Sequence, residues 1–348
     1  MDNTRFVREI KEQPLALRTV ADYYSGKEGS ALLTSAAEEI ASKKKIVFTG
    51  MGTSLYAPYI LTKELAGLPF TLEILDAGEL LHFGLDGIRG DEIIIAVSQS
   101  GESIETRRVV EVLKERVPVI SIVNNHSSYM GKNSRLVLPI NAGEEASISN
   151  KTYTNTLAVL FLLSTCLNRN NPEADIKLLR TTSDIMEQNL EDTGKRAVQA
   201  ADYFGDLASL HMIARGSDLV TARQWALVIK EGACIFSEAL SGGLFRHGPF
   251  EIAGEGHSAV FIISDGNEPD LTWKLAEEIQ ALGSRVAVVS DRKYDNSKIL
   301  NIVVESISPR YFPLLCAPFM ELFVHETAKR KGKEAGVFHS ISKVTSRE

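Results

Sequence analysis

The amino-acid sequence predicts an α/β protein of two similar domains, each a doubly wound parallel sheet with helices on both faces. Short, continuous apolar runs such as Glu92-Ile93-Ile94-Ile95-Ala96-Val97 have the length and composition of strands buried on both sides. They alternate with segments whose apolar residues recur at helical spacing, as expected of parallel strands joined by crossover helices. The whole plan then occurs twice, with a period of about 160 residues, far too long for a solenoid. At 348 residues the chain has room for two domains of ordinary size.

In the first half, 6–24 reads as a helix interrupted near Pro14, and 30–42 as a second helix. The basic run Lys43-Lys44-Lys45 follows it, where cations are favoured at a helix C-terminus. Strands are expected at 46–49, 93–97, 119–123 and 136–140, with a further run at 70–75 pairing at the edge of the sheet or within it. A Leu-rich helix over 154–167 closes this half, and 176–204 forms a helical bridge with recurring polar and charged residues. In the second half, 210–217 echoes 45–54, 258–264 echoes the strand before the serine turn, and 285–290 and 299–305 match the third and fourth strands. Even 78–84 has a faint counterpart in 243–248. The expected organisation is an N-terminal helical segment (1–29), a first domain (30–172), a helical linker (173–205), a second domain (206–335) and a C-terminal tail (336–348).

The composition, 44% hydrophobic and 24% charged, is that of a globular protein, and the formal net charge of −7 gives no general attraction to nucleic acid or acidic membranes. The three cysteines (Cys166, Cys234, Cys316) lack metal-ligand spacing and read as small buried hydrophobes in a reducing compartment. The start, Met1-Asp2-Asn3-Thr4-Arg5-Phe6, does not have the form of a signal peptide. The longest apolar run, 157–166, is too short to span a membrane. A soluble cytoplasmic protein with neither nucleic-acid nor membrane partners is expected.

The most informative stretch is Ser98-Gln99-Ser100-Gly101-Glu102-Ser103, between a buried strand and a helix start. Backbone N–H groups at a helix N-terminus, with three serine hydroxyls, make an anion site. No Lys or Arg sits in the turn, so hydrogen bonds and the helix end must do most of the holding, which suits a phosphate monoester on a small molecule. A second turn, Gly52-Thr53-Ser54, follows another strand, and open α/β sheets bind ligands outside the carboxyl ends of their strands. Ser and Thr also cap helices, so one such turn alone would read as capping. The matching position in the second half is Ser264-Asp265-Gly266-Asn267, whose acid would repel a phosphate. The first half is therefore expected to hold the anion and the second to supply chemistry or structure.

With both turns in one domain, the chain resembles the sugar isomerase (SIS) family. It is most similar to the isomerase half of glutamine–fructose-6-phosphate aminotransferase (glucosamine-6-phosphate synthase) and to stand-alone fructosamine-6-phosphate deglycases and glucosamine-6-phosphate deaminases. The resemblance extends through Glu9-Ile10-Lys11-Glu12-Gln13-Pro14, Ser149-Asn150-Lys151-Thr152-Tyr153-Thr154, Lys230-Glu231, Arg246-His247-Gly248-Pro249 and Ser342-Lys343-Val344-Thr345. It implies two flavodoxin-like domains with five-stranded sheets, a homodimer, no cofactor or metal, and a sugar 6-phosphate as substrate.

The resemblance also implies roles. Gly52, Thr53, Ser54, Ser98, Gln99, Ser100 and Ser103 would hold the sugar phosphate, with backbone near Ser149. Glu231 would be the base that moves a proton between C1 and C2; on an apolar helix its charged form is disfavoured, which suits that work. His247 would open the sugar ring by shuttling a proton, delivered from the partner subunit of a dimer. Lys343 would be a Schiff-base lysine, and Glu238 a secondary acidic residue that orients the site or bonds backbone. Glu102 is expected to serve the N-terminus of its own helix. Two departures stand out: Gly336-Val337-Phe338-His339 replaces the Asp-x-Pro-Arg that relatives often carry, and Val228 stands where the synthase has another lysine.

The expected reaction is aldose–ketose chemistry on an amino-sugar or fructosamine 6-phosphate, releasing amine or ammonia and a hexose 6-phosphate. The sequence begins at the isomerase half, so release of ammonia from glutamine is not expected of it. One alternative is the isomerase subunit of a split synthase fed ammonia by another protein, against which Val228 weighs. The other is a non-catalytic sugar-phosphate sensor. The acidic charge, the lack of a helix-turn-helix before Ile46 and the joint presence of Glu231, His247 and Lys343 weigh against it.

Overall fold

A computed structural model describes residues 2–338, 340, 342, 343 and 345; His339 and Val344, quoted above, lie outside the described residues. Helices α1 (Arg5–Lys11), α2 (Gln13–Ser25) and α3 (Lys27–Ala41) lead to β1 (Lys45–Gly50). Short helices α4 (Thr53–Tyr56) and α5 (Leu61–Glu64) precede β2 (Thr71–Asp76), and α6 (Ala77–Glu79) precedes β3 (Glu92–Ser98). Then come α7 (Ile104–Leu113), β4 (Val119–Val123), α8 (Tyr129–Asn133), β5 (Leu136–Pro139), α9 (Lys151–Leu167) and α10 (Glu173–Phe204). The remainder is β6 (Ser209–Ala214), α11 (Asp218–Ala233), β7 (Phe236–Ser241), α12 (Gly242–Arg246), β8 (Ser258–Ile263), α13 (Pro269–Ala281), β9 (Arg285–Ser290), β10 (Leu300–Val303) and α14 (Phe312–Arg330).

These strands form two five-stranded sheets, ordered β2-β1-β3-β4-β5 and β10-β9-β8-β6-β7, with every pairing parallel. Counting β6 to β10 as one to five, both sheets have the flavodoxin-like order 2-1-3-4-5. The strands lie where the apolar runs predict them, with one omission. β7 went unread because it is an edge strand whose first and third residues, Phe236 and Glu238, are exposed. All seven residues of β3 are buried, so it shows no polar alternation.

The chain folds into two compact units that are not consecutive segments. The first-sheet unit comprises Leu15–Glu145, Lys151–Ser183 and Phe338–Glu348; the second-sheet unit comprises Met1–Pro14, Ala146–Asn150 and Asp184–Val337. Tertiary packing overrides chain order. α1 packs on α14, and the Glu9 carboxylate of α1 is buried against the 146–150 loop. Pro14 does mark the break read from the sequence, with α1 ending at Lys11 and α2 starting at Gln13.

Within the first-sheet unit, Val109, Val110 and Leu113 of α7 close over Val47, Ile94 and Ala96 of the sheet. α9 is buried along nearly its whole length, which explains its lack of a polar face. Its buried Asn155 donates from Nδ2 to the carbonyls of Ala16 (2.9 Å) and Ile140 (2.7 Å), tying the helix to α2 and to the end of β5. Among the described residues, no helix is long and apolar enough to cross a membrane. The cysteines are unpaired, but only Cys316 is buried; Cys234 is exposed at the end of α11 in a left-handed conformation (φ 53°).

In the second-sheet unit, α11 lies against α14. The Trp225 ring meets Phe319 and Phe323 edge-on at 5.7 and 5.6 Å. Gly232 permits this approach: a Cβ there would sit 2.5 Å from Val324 Cγ1 and 3.1 Å from Ile148 Cδ1. Gly232→Ala is therefore expected to destabilise the protein by about 1–3 kcal/mol through overpacking, despite the better helix propensity of Ala. A lowered urea midpoint at unchanged slope checks this; a raised midpoint contradicts it.

Candidate functional site

Because β1 and β3 are neighbours in the first sheet, the turns that follow them emerge at the same edge. After β3, Gly101 takes φ +68°, and a Cβ there would lie 2.1 Å from Ser128 Oγ, so the turn requires glycine. Ser98 Oγ accepts the Gly101 N–H (3.0 Å), and Ser100 Oγ accepts the Glu102 N–H (3.1 Å). Each hydroxyl thus spends a lone pair on the backbone and keeps its O–H as a donor. Ser103 is the N-cap of α7 but makes no side-chain cap bond, so capping does not explain it. Gln99, Ser100 and Ser103 are half-buried, as are Gly52, Thr53 and Ser54 of the other turn. There Gly52 takes φ +54°, and the start of α4 also lacks a side-chain cap. Glu102 accepts the N–H of Tyr129 (2.6 Å), the first residue of α8, and its other oxygen lies 3.9 Å from Arg107 Nη1 of its own helix.

The C-terminal tail reaches the start of the helix that follows the turn. The Ile104 N–H, first in α7, donates to the Thr345 carbonyl at 3.2 Å. Lys343 is two residues away, at most about 7 Å of extended chain. Its Nζ donates to Glu145 Oε2 at 2.9 Å. That carboxylate is fully buried and also accepts from Thr152 N (3.0 Å) and Thr152 Oγ1 (2.8 Å). Glu145 was not legible as a site residue; its signal is an acid shortly before the Ser149 motif.

In the second-sheet unit, Glu231 is half-buried in the last turn of α11. Gln224 lies seven residues earlier and so on the same helix face. It is buried, and its Nε2 approaches the Ser149 carbonyl at 3.5 Å. The Ser149 loop is itself fixed by buried Glu9, which accepts from Ala146 N (2.8 Å), Ser147 N (3.2 Å), Asn150 Nδ2 (3.3 Å) and the Ser147 hydroxyl. Glu238 is exposed on β7 and lies 3.7 Å from His211 Nε2. His247 is exposed at the end of α12, ahead of Gly248 (φ +123°) and Pro249. The structure thus gathers both turns and Lys343 in one unit, and Ser149, Gln224 and the Glu231 face of α11 in the other. Among the described residues, no cluster of three His, Cys, Asp or Glu is placed to hold a metal ion.

The matching turn of the second sheet has a different content. Buried Asp218 accepts from Ser264 N (2.7 Å) and Ser264 Oγ (2.8 Å), and Asn267 Nδ2 donates to Ser264 Oγ (2.8 Å) and Ser217 Oγ (2.9 Å). The turn holds a carboxylate of its own unit. Asp265, expected to be the repelling acid, instead pairs with Arg292 at 2.9 Å.

Residues 39–165, which span the first sheet and both of its turns, match the SIS domain. The whole chain is 27% identical over 350 residues to a glutamine–fructose-6-phosphate aminotransferase (isomerizing) of Pyrobaculum aerophilum, an alignment covering 98% of this chain and 57% of that protein. The chain thus spans little more than half the length of that relative. The C-terminal domain of glucosamine-fructose-6-phosphate aminotransferase from Francisella tularensis superposes with a TM-score of 0.83 at 20% identity, covering 97% of this chain and 99% of that one. Glucosamine-6-phosphate deaminase from Thermotoga maritima gives 0.77 at 19% identity, covering 98% and 99%. The shared fold is one of two parallel five-stranded sheets flanked by helices.

The buried carboxylate of the second sheet has a consequence for stability. Burial pushes Asp218 up to about 7, against the hydrogen bonds from Ser264 and Asn267 and with help from nearby Asp291. Between the ordinary carboxylate range and pH 7, the folded state keeps a proton that the unfolded state has released. Stability from this group is therefore fullest below the ordinary carboxylate range and falls as pH rises towards 7. Asp218→Asn, which cannot ionise, is expected to flatten that fall. Urea unfolding from pH 4 to 8 checks it, and an equally steep decline in the variant would count against the assignment.

Proposed function

We propose that this protein is a SIS-type phosphosugar enzyme that acts on an amino-sugar or fructosamine 6-phosphate and releases an amine or ammonia with a hexose 6-phosphate. The observation that carries this reading is the union, in one unit, of a hydroxyl-rich turn with the Lys343 tail through the Thr345–Ile104 hydrogen bond. Hydroxyl donors at the turn, with an ammonium on the tail that joins it, suit a phosphate dianion. The names of the relatives, an aminotransferase that uses fructose 6-phosphate and a glucosamine-6-phosphate deaminase, support the same substrate class.

In this reading His247 moves a proton to open the sugar ring. Glu231 takes a proton from C1 of the aminoketose, leaving an enamine, and returns one to C2. The resulting C1 imine adds water, the C1–N bond breaks, nitrogen leaves as the amine, and C1 becomes the aldehyde of the hexose phosphate. Lys343 enters as the cation bonded to Glu145; condensation with a carbonyl would first require that pair to release a proton. The same reading takes the protein as a homodimer in which His247 serves the neighbouring copy.

The test is to incubate the protein with fructosamine 6-phosphates and glucosamine 6-phosphate and to follow amine, ammonia and hexose phosphate. Glu231→Gln is expected to lower kcat by about 10²–10⁴-fold while phosphosugar binding stays within a few-fold. Undiminished turnover would remove Glu231 as the base.

A further inference from the structure

The second-sheet unit contains a chain of polar side chains that the reading above does not use. His211 on β6 and His257, just before β8, are each only 7% exposed, with ring centroids 5.1 Å apart. Phe245 packs edge-on to His211 (5.9 Å) and stacks on His257 (6.0 Å). His257 Nε2 lies 3.2 Å from His211 Nδ1, and His257 Nδ1 lies 2.9 Å from Ser284 Oγ. Ser284 Oγ in turn accepts the Gly254 N–H at 3.0 Å. At the other end, His211 Nε2 faces the Glu238 carboxylate at 3.7 Å, a contact just beyond hydrogen-bond length.

Donor and acceptor counting assigns one direction to this chain. Burial lowers the pKa of both rings, His257 to about 4 with help from His211, so at neutral pH each carries a single N–H. An ionised carboxylate only accepts, so His211 presents its N–H from Nε2 to Glu238 and leaves Nδ1 bare. His257 must then donate from Nε2, and its bare Nδ1 accepts a hydrogen bond from the Ser284 hydroxyl, while the Ser284 oxygen accepts from Gly254. The reverse direction sets a bare nitrogen against a carboxylate.

We propose that Gly254, Ser284, His257 and His211 form a directed hydrogen-bond chain that orients the exposed Glu238 carboxylate on edge strand β7, making the two histidines positioning residues for that acid. The proposal rests on the reading of Glu238 as a carboxylate of the phosphosugar site. The logic is that of a buried group fixing the tautomer and aim of a functional one.

Two measurements test this, one independent of activity. In protein labelled with ¹⁵N-histidine at pH 7, both rings should be neutral with the proton on Nε2. A proton on Nδ1 of His211 overturns the direction. In turnover of fructosamine 6-phosphate, His257→Leu should lower kcat about 10–100-fold with little change in KM. His257→Gln, whose amide still donates to His211, should recover most of the loss. Ser284→Ala, a small change that spares the fold, should show a weaker effect of the same sign. In the Glu238→Gln background, His257→Leu should cost nothing further; multiplying losses would show that the histidines act elsewhere and overturn the proposal. Wild-type turnover by Glu238→Gln would instead remove the acid from the site, and the positioning role with it, even with the tautomers as assigned.

Discussion

A parallel strand buried on both faces must end in a turn whose backbone donors have no sheet partner. The content of the site follows from how this chain meets that constraint at Ser98. Gly101, held at positive φ against Ser128, bends the backbone so that Ser98 and Ser100 each take one N–H of the turn. Thr345 takes the first N–H of α7. What remains at the turn is a set of hydroxyl protons, while Lys343 of the same tail is tied to a buried carboxylate.

The second sheet has the same strand order and the same constraint but meets it internally. Asp218, at the start of α11, accepts the donors of the turn after β8, and Asn267 completes the network. The cost is a buried carboxylate whose charged form is disfavoured. One duplicated fold thus yields one turn with unspent hydroxyl protons and another already filled. The second unit places Glu231, Glu238 and His247 along α11, β7 and α12 instead.

Much of this was legible in the sequence because burial of parallel strands leaves continuous apolar runs and because Ser, Gly and Thr cluster where turns need them. β7 was not, since an edge strand that exposes Phe236 and Glu238 lacks that signature. Nor was the membership of 2–14 and 146–150 in the second-sheet unit, which depends on α1 meeting α14 and on Glu9 filling a loop far along the chain. Buried Glu9 and Glu145 look like surface acids in one dimension. Only tertiary contacts reveal that one fixes the Ser149 loop and the other holds Lys343. Glu102, an acid at a helix start, also reaches the next helix, α8.

On the proposed function, one turn per chain binds the anion. Calorimetric titration with a hexose 6-phosphate measures this most directly, using wild type, Ser103→Ala in the first turn and Ser264→Ala in the second. The expected result is one site per chain, weakened several-fold or more by Ser103→Ala and unaltered by Ser264→Ala. Two sites per chain, or binding lost with Ser264 and retained without the Ser103 hydroxyl, would contradict it.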